Sequence, residues 1–178
     1  LGSELCRQIV RLGPSRLLMV DVSEAALYTI DQALRDMARQ EILEVELISL
    51  IGSVHHKDRM LDVARTYGVQ TIYHAAAYKH VPLVEHNMIE GIHNNVFGTL
   101  HTAEAAVESG VESFVLVSTD KAVLPTNVMG ATKRFSELVL QGLNTRGNTT
   151  KFSMVRFGNV LASSGSVVPL FRQQIRDG

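Results

Sequence analysis

The chain has 178 residues, 46% hydrophobic and 20% charged, with 17 Lys and Arg against 18 Asp and Glu. That is enough for one domain with a real core, and the balanced charge excludes a composition-driven affinity for nucleic acid or an anionic membrane surface. The single cysteine, Cys6, excludes an internal disulfide and fits a reducing compartment, and no apolar run is long enough to span a bilayer.

In chain order, Leu5, Ile9, Val10 and Leu12 suit one face of a helix that Gly13-Pro14 ends. Leu17 to Asp21 reads as a buried strand closing on an acid. Ala25 to Arg39 is helical by period, with Ala26, Ile30, Leu34 and Met37 on one side and Ser23 with Glu24 as a cap. Val45 to Ile51 is a strand, followed by Gly52-Ser53-Val54. Lys57 to Tyr67 is a short helix stopped by Gly68. Thr71 to Ala77 is the next strand and its end. The small residues Ala75, Ala76 and Ala77 suit either close packing or close approach to a flat ligand. Lys79 and His80 follow in a loop, and Glu90 to Glu108 reads as one helix containing Asn94 and Asn95.

Phe114 to Val117 is an apolar, β-branched run bounded by polar residues, the pattern of a buried parallel strand. It runs into Ser118, Thr119, Asp120 and Lys121. A loop with Pro125 and Asn127 leads to a helix over Thr132 to Asn144, with Phe135, Leu138, Val139 and Leu143 as its core face. Phe152 to Phe157 is a further strand, left through Gly158-Asn159-Val160. Ser163, Ser164, Gly165 and Ser166 form a flexible turn, and Val167 to Arg176 begins another helix. The alternation predicts an α/β, Rossmann-like doubly wound parallel sheet in one domain over 1–178.

In open α/β sheets, ligands bind beyond the carboxyl ends of the strands, so Asp120 and Lys121 are placed for acid–base chemistry. An arbitrary Asp-Lys dipeptide in a loop is far more often a solvated pair. Asp21 divides about evenly between a ribose-binding acid and a loop or cap acid. His55 and His56 would face opposite sides of a strand. No acid or cysteine cluster joins the other histidines, so no metal site is expected.

Several stretches taken together are specific: His74-Ala-Ala-Ala-Tyr-Lys-His-Val-Pro-Leu-Val-Glu85, Asn94-Asn-Val-Phe-Gly-Thr99, Ser118-Thr-Asp-Lys-Ala122, Asn127-Val-Met-Gly-Ala-Thr-Lys133 and Arg156-Phe-Gly-Asn-Val160. On these the chain resembles the extended short-chain dehydrogenase/reductase superfamily. Within it, the chain resembles the CapD-like, UDP-N-acetylglucosamine 4,6-dehydratase group of bacterial polysaccharide and glycan biosynthesis. The resemblance implies bound NAD, a UDP-sugar substrate, a homo-oligomer, and a cytoplasmic catalytic domain whose parent carries an inner-membrane anchor. It also implies a sheet truncated at both ends. The first strand with its glycine loop precedes this sequence, leaving the sheet without a middle member, and the substrate region follows it.

By the same resemblance, Gly2 is the last glycine of the phosphate-binding loop and Asp21 accepts the ribose hydroxyls. Ser53 and Val54 lie near the adenine, where Ser53 replaces the usual acid. Ala75, Ala76, Ala77, Asn95 and Ser118 flank the cofactor, and Lys133 binds the nicotinamide ribose. Lys79, Asn159, Ser163 and Ser166 face the sugar nucleotide. Arg156 is as readily structural as substrate-binding.

The superfamily carries Tyr-x-x-x-Lys, which puts both side chains on one helix face. Here Met129 stands at the Tyr position before Lys133, and a thioether cannot take a proton at neutral pH. Some dehydratases of the resembled group share this Met. The implied reaction oxidises the sugar at C4, eliminates water across C5 and C6, and returns hydride to C6. Lys121, its pKa lowered by burial, suits the C5 base, and Asp120, its pKa raised by burial, suits the acid. Asp120, Lys121 or a water held by Ser118 or Thr119 takes the C4 hydroxyl proton. A sugar-nucleotide epimerase would carry Tyr at 129 and lack the Asp-Lys pair, and a non-catalytic dinucleotide-fold module would also tolerate Met129.

Overall fold

The computed structural model describes residues 1–158 and 174–176. Its elements alternate: α1 (Gly2–Arg11), β1 (Arg16–Asp21), α2 (Glu24–Glu41), β2 (Glu46–Ile51), α3 (Lys57–Tyr67) and β3 (Thr71–His74). Then come α4 (Val81–His86), α5 (Met88–Ile92), a π-helical turn (His93–Phe97), α6 (Gly98–Ser109), β4 (Ser113–Thr119), a 3₁₀ turn (Asp120–Ala122), α7 (Val128–Asn144) and β5 (Lys151–Phe157). Among the described residues no helix is long and apolar enough to cross a membrane.

Every strand pair is parallel, as the strand–helix alternation requires. The strands form two sheets, β1–β2 and β3–β4–β5. Between them lies a cleft of about 650 Å³, lined along its length by β1 from Arg16 to Asp21 and by the β3 segment from Thr71 to Ala76. Each sheet has its own core: Val10, Met19, Leu27, Ile30 and Leu34 beside β1, and Ala103, Ala106, Phe114, Leu116 and Leu140 beside β4.

Several helical expectations change. The helix read over Glu90 to Glu108 is broken into α5, the π turn and α6, and Asn95 sits in the π turn. The cause is local. The Asn95 carbonyl accepts from the Thr99 hydroxyl at 2.7 Å and the Ser136 hydroxyl at 2.6 Å, which widens the helical ladder there. Leu27, not Ala26, faces the core from α2. On α7, Phe135 and Leu138 are exposed, while Lys133, Ser136, Glu137 and Leu140 are buried. His55 and His56 precede α3 and lie on no strand. Val81–His86 forms a further short helix after the Lys79–His80 loop.

Candidate active site

β4 alternates, burying Phe114, Leu116 and Ser118 on one face. At its carboxyl end Thr119 caps the 3₁₀ turn, its Oγ1 accepting from the Lys121 amide at 3.3 Å. Thr119 Oγ1 also donates to Asp120 Oδ1 at 3.0 Å, and Lys121 Nζ lies 3.2 Å from the same oxygen. The pair is open: the Asp120 side chain is 56% exposed and the Lys121 side chain 39%.

That exposure corrects the acid–base expectation. Hydrogen bonds from Lys121 and Thr119 pull the Asp120 carboxyl below its ordinary value, and burial is too slight to raise it. In this structure Asp120 is a carboxylate that accepts, not a raised acid. Burial depresses the pKa of a lysine on the neighbouring helix, Lys133. Lys133 is buried on α7, desolvation holds it at about 8, and the Glu137 charge acts in the opposite direction. Its ammonium makes no hydrogen bond among the described residues.

The start of α7 is pinned from several sides. Asn127 caps it by accepting from the Gly130 amide at 2.8 Å, and Glu85 of α4 accepts from the Val128 amide at 2.7 Å. Gly130 is required by contact: a Cβ there would collide with the Lys121 carbonyl. The Asp-Lys turn and the first turn of α7 are therefore in backbone contact. Met129 and Lys133, four residues apart, are both buried. Leu124, in the intervening loop, is exposed and left-handed at φ 46°.

Asn95 ties this helix to the loop after β3. Its Oδ1 accepts from the Tyr78 amide at 2.8 Å, and its Nδ2 donates to the Tyr78 carbonyl at 3.0 Å and to Thr132 Oγ1 at 2.9 Å. His74 at the end of β3 is buried against Phe114 and 3.1 Å from Thr99 Oγ1. Burial, and then the Lys133 cation, hold its pKa at about 3, so it is a neutral core residue.

Of the residues expected to hold a cofactor, Asn95, Ser118 and Lys133 lie around α7, and five others form a second group. Gly2, Asp21, Val54, Ala75 and Ala76 all line the cleft between the sheets. Asp21 accepts from the Ser23 amide at 2.8 Å, which realises its loop-capping role. Ser53 turns the loop after β2, accepting from the His55 amide at 3.2 Å. Ala77 and Lys79 follow in the loop before α4, and Lys79 is exposed. Arg156 is committed to Glu137 through bonds of 2.8 and 2.6 Å, the structural alternative. Asn159, Ser163 and Ser166 lie outside the described residues. Among the described residues no group of His, Cys, Asp and Glu could hold a metal ion.

Sequence reasoning missed Glu85 and Glu137. Glu85 closes a quoted motif yet reads as one more surface acid. Glu137 follows Lys133 by one helical turn, and that spacing was the available signal.

A family model described as polysaccharide biosynthesis protein matches residues 1–178. The capsular polysaccharide biosynthesis protein CapD of Staphylococcus aureus is 47% identical over all of this chain and 29% of its own length. An inverting UDP-N-acetylglucosamine 4,6-dehydratase of Campylobacter jejuni is 40% identical over 79% of this chain and 45% of its own. A UDP-glucose 4-epimerase of Rickettsia canadensis is 38% identical over 89% of this chain and 46% of its own. The solved structure of Pen from Bacillus thuringiensis has a TM-score of 0.89 and 31% identity, covering 99% of this chain and 54% of that one. The chain thus spans a third to about half of these proteins.

Proposed function

The chain belongs to the polysaccharide biosynthesis protein family, and on that premise we propose that it carries the catalytic core of an NAD-dependent sugar-nucleotide 4,6-dehydratase acting on UDP-N-acetylglucosamine. The observation that carries the reading is the Asp120–Lys121 turn packed directly on the helix that buries Met129 and Lys133.

The residues fit the cofactor. A buried ammonium without a hydrogen-bond partner among the described residues suits a ligand with hydroxyl or phosphate oxygens. Lys133 would meet the nicotinamide ribose from α7, and Asp21 the adenine ribose from the end of β1. When bound, NAD supplies a reversible hydride store. The chain's own part is acid–base work. With Met129 inert, the Asp120–Lys121 pair is the exposed proton-handling group at this strand end. Asp120, held ionised, accepts the C4 hydroxyl proton or orients a water that does. Lys121, in its uncharged form, takes the proton from C5, and Asp120, carrying the proton it received from the C4 hydroxyl, gives it to the C6 hydroxyl as that group leaves as water. Ser118 and Thr119 hold the backbone that aims them. NAD and UDP-sugar binding belong to this proposal, as do its residue roles.

The relationship to UDP-glucose 4-epimerases supports a second reading, inversion at C4 without loss of water. Met129 argues against it, since no tyrosine stands four residues before Lys133 to exchange the C4 proton. Mass spectrometry separates the two. Incubation of UDP-N-acetylglucosamine and NAD with a form extended to the length of the relatives should yield a product lighter by one water. A product of unchanged mass would move the reading to epimerisation.

A further inference from the structure

Glu137 is fully buried, yet it carries a charge and serves residues from three elements. Its Oε1 accepts from Ser118 Oγ of β4 at 2.7 Å and from Arg156 Nε of β5 at 2.8 Å. Its Oε2 accepts from the Arg156 terminal nitrogen at 2.6 Å and from Arg134 of its own helix at 2.9 Å. Burial alone would raise this carboxyl, but the bonds from Arg156, Ser118 and Arg134 outweigh it and hold the group at about 2. A core position on a helix packed over a sheet is ordinarily apolar. An ion there costs desolvation that a hydrophobic side chain would not, so its retention calls for a role beyond stability.

The places it joins identify the role. Ser118 immediately precedes Thr119, Asp120 and Lys121. Arg156 lies two residues before Gly158, beside which the Asp120 carboxylate sits. Lys133 is one turn earlier on the same helix. We propose that Glu137 is the positioning residue of this site: one carboxylate clamps the carboxyl ends of β4 and β5 to α7, and thereby fixes the Asp120–Lys121 turn relative to the Lys133 ammonium. It touches neither substrate nor cofactor. It acts through Ser118 and Arg156 on geometry, and through its charge on Lys133, which it keeps cationic. The other titratable groups facing this part of α7 are His74 on β3, Asp120 and Lys121 after β4, and Glu85 on α4. His74 is neutral, and Asp120 is paired with Lys121.

The activity arm of the test rests on the dehydratase reading, and the spectroscopic arm does not. Both use the extended form, with Lys labelled at ¹³Cε and the Lys133 resonance assigned by Lys133→Arg. Glu137→Gln keeps the shape and removes the charge. It should lower the Lys133 titration midpoint by about one pH unit, the size a close opposite charge produces, and move the alkaline limb of kcat/KM down with it. Glu137→Asp keeps the charge and shortens the reach. It should leave the midpoint near the wild-type value and cut kcat by about tenfold, the scale of a displaced catalytic group. It also serves if Glu137→Gln does not fold. A wild-type midpoint and pH profile in Glu137→Gln, or wild-type kcat in Glu137→Asp, would overturn the proposal. A shifted Lys133 midpoint in an enzyme that removes no water would uphold the clamp and overturn the dehydratase reading.

Discussion

Around β1 and β2 the ion pairs sit at the surface: Arg11 with Glu41, Arg16 with Glu46, Arg35 with Asp31. Around β3, β4 and β5 the polar groups are buried: His74, Asn95, Thr99, Ser118, Thr132, Lys133, Ser136 and Glu137. The first half is an apolar core with solvated charges, the pattern that stability alone favours. The second accepts the cost of burying hydroxyls, an amide and two ionic groups, and satisfies most of them with short bonds. The difference separates a scaffold, which needs only shape, from a site, which needs fixed directions. Lys133 is the informative exception, buried and left without a bonded partner among the described residues.

The sharpest way to break this comparison is at the turn. Lys121→Ala removes an exposed side chain, so the fold should survive. Dehydration in the extended form should fall by roughly 10²–10⁴, the usual worth of a positioned acid or base. Retained turnover would remove Lys121 as the base.

Next is the ionic network. With a folded pKa of about 2 against an ordinary 4.5, Glu137 contributes roughly 3 kcal/mol that is fully present above pH 4.5 and lost as pH falls toward 2. Urea midpoints should therefore place Glu137→Gln below wild type at pH 7, with the gap closing in acid. Lys133 has the opposite sign. Its folded pKa of about 8 lies below the ordinary 10.5, so the unfolded chain holds the proton more tightly and stability rises between these values. Lys133→Met should stabilise the protein at pH 7 by about 1–3 kcal/mol while abolishing turnover. The stabilisation should vanish above pH 10.5. A destabilised Lys133→Met would show that the lysine is part of the scaffold.

The smallest effects belong to the β1–β2 half. Asp21→Asn should leave the denaturation midpoint almost unchanged and relax a preference for NAD over NADP, read by ligand titration. Arg16→Gln breaks an exposed pair with Glu46 and should cost no more than about 1 kcal/mol.

Alternation of apolar strands with periodic helices made the α/β class readable, because parallel strands buried on both faces carry continuous apolar runs, as Phe114 to Val117 does. The Asp120–Lys121 turn was legible from its position at a strand end. The polar interior was not. Ser136 and Glu137 look like solvent-facing residues on a helix that also offers Phe135 and Leu138, so periodicity placed Val139 and Leu143 correctly but took Phe135 and Leu138 for core in place of Ser136 and Glu137. Asn95 was expected to flank the cofactor from a regular helix, but the π turn that holds it depends on a bond from the distant Ser136 hydroxyl to its carbonyl. Which lysine is buried depends on the packing of α7 against the strand ends, which no local sequence pattern encodes.

The most direct measurement is the mass of UDP-N-acetylglucosamine after incubation with NAD and the extended protein, beside its Lys121→Ala variant. The account predicts loss of one water in the first and little or none in the second. An unchanged mass in both, from folded protein, would contradict it.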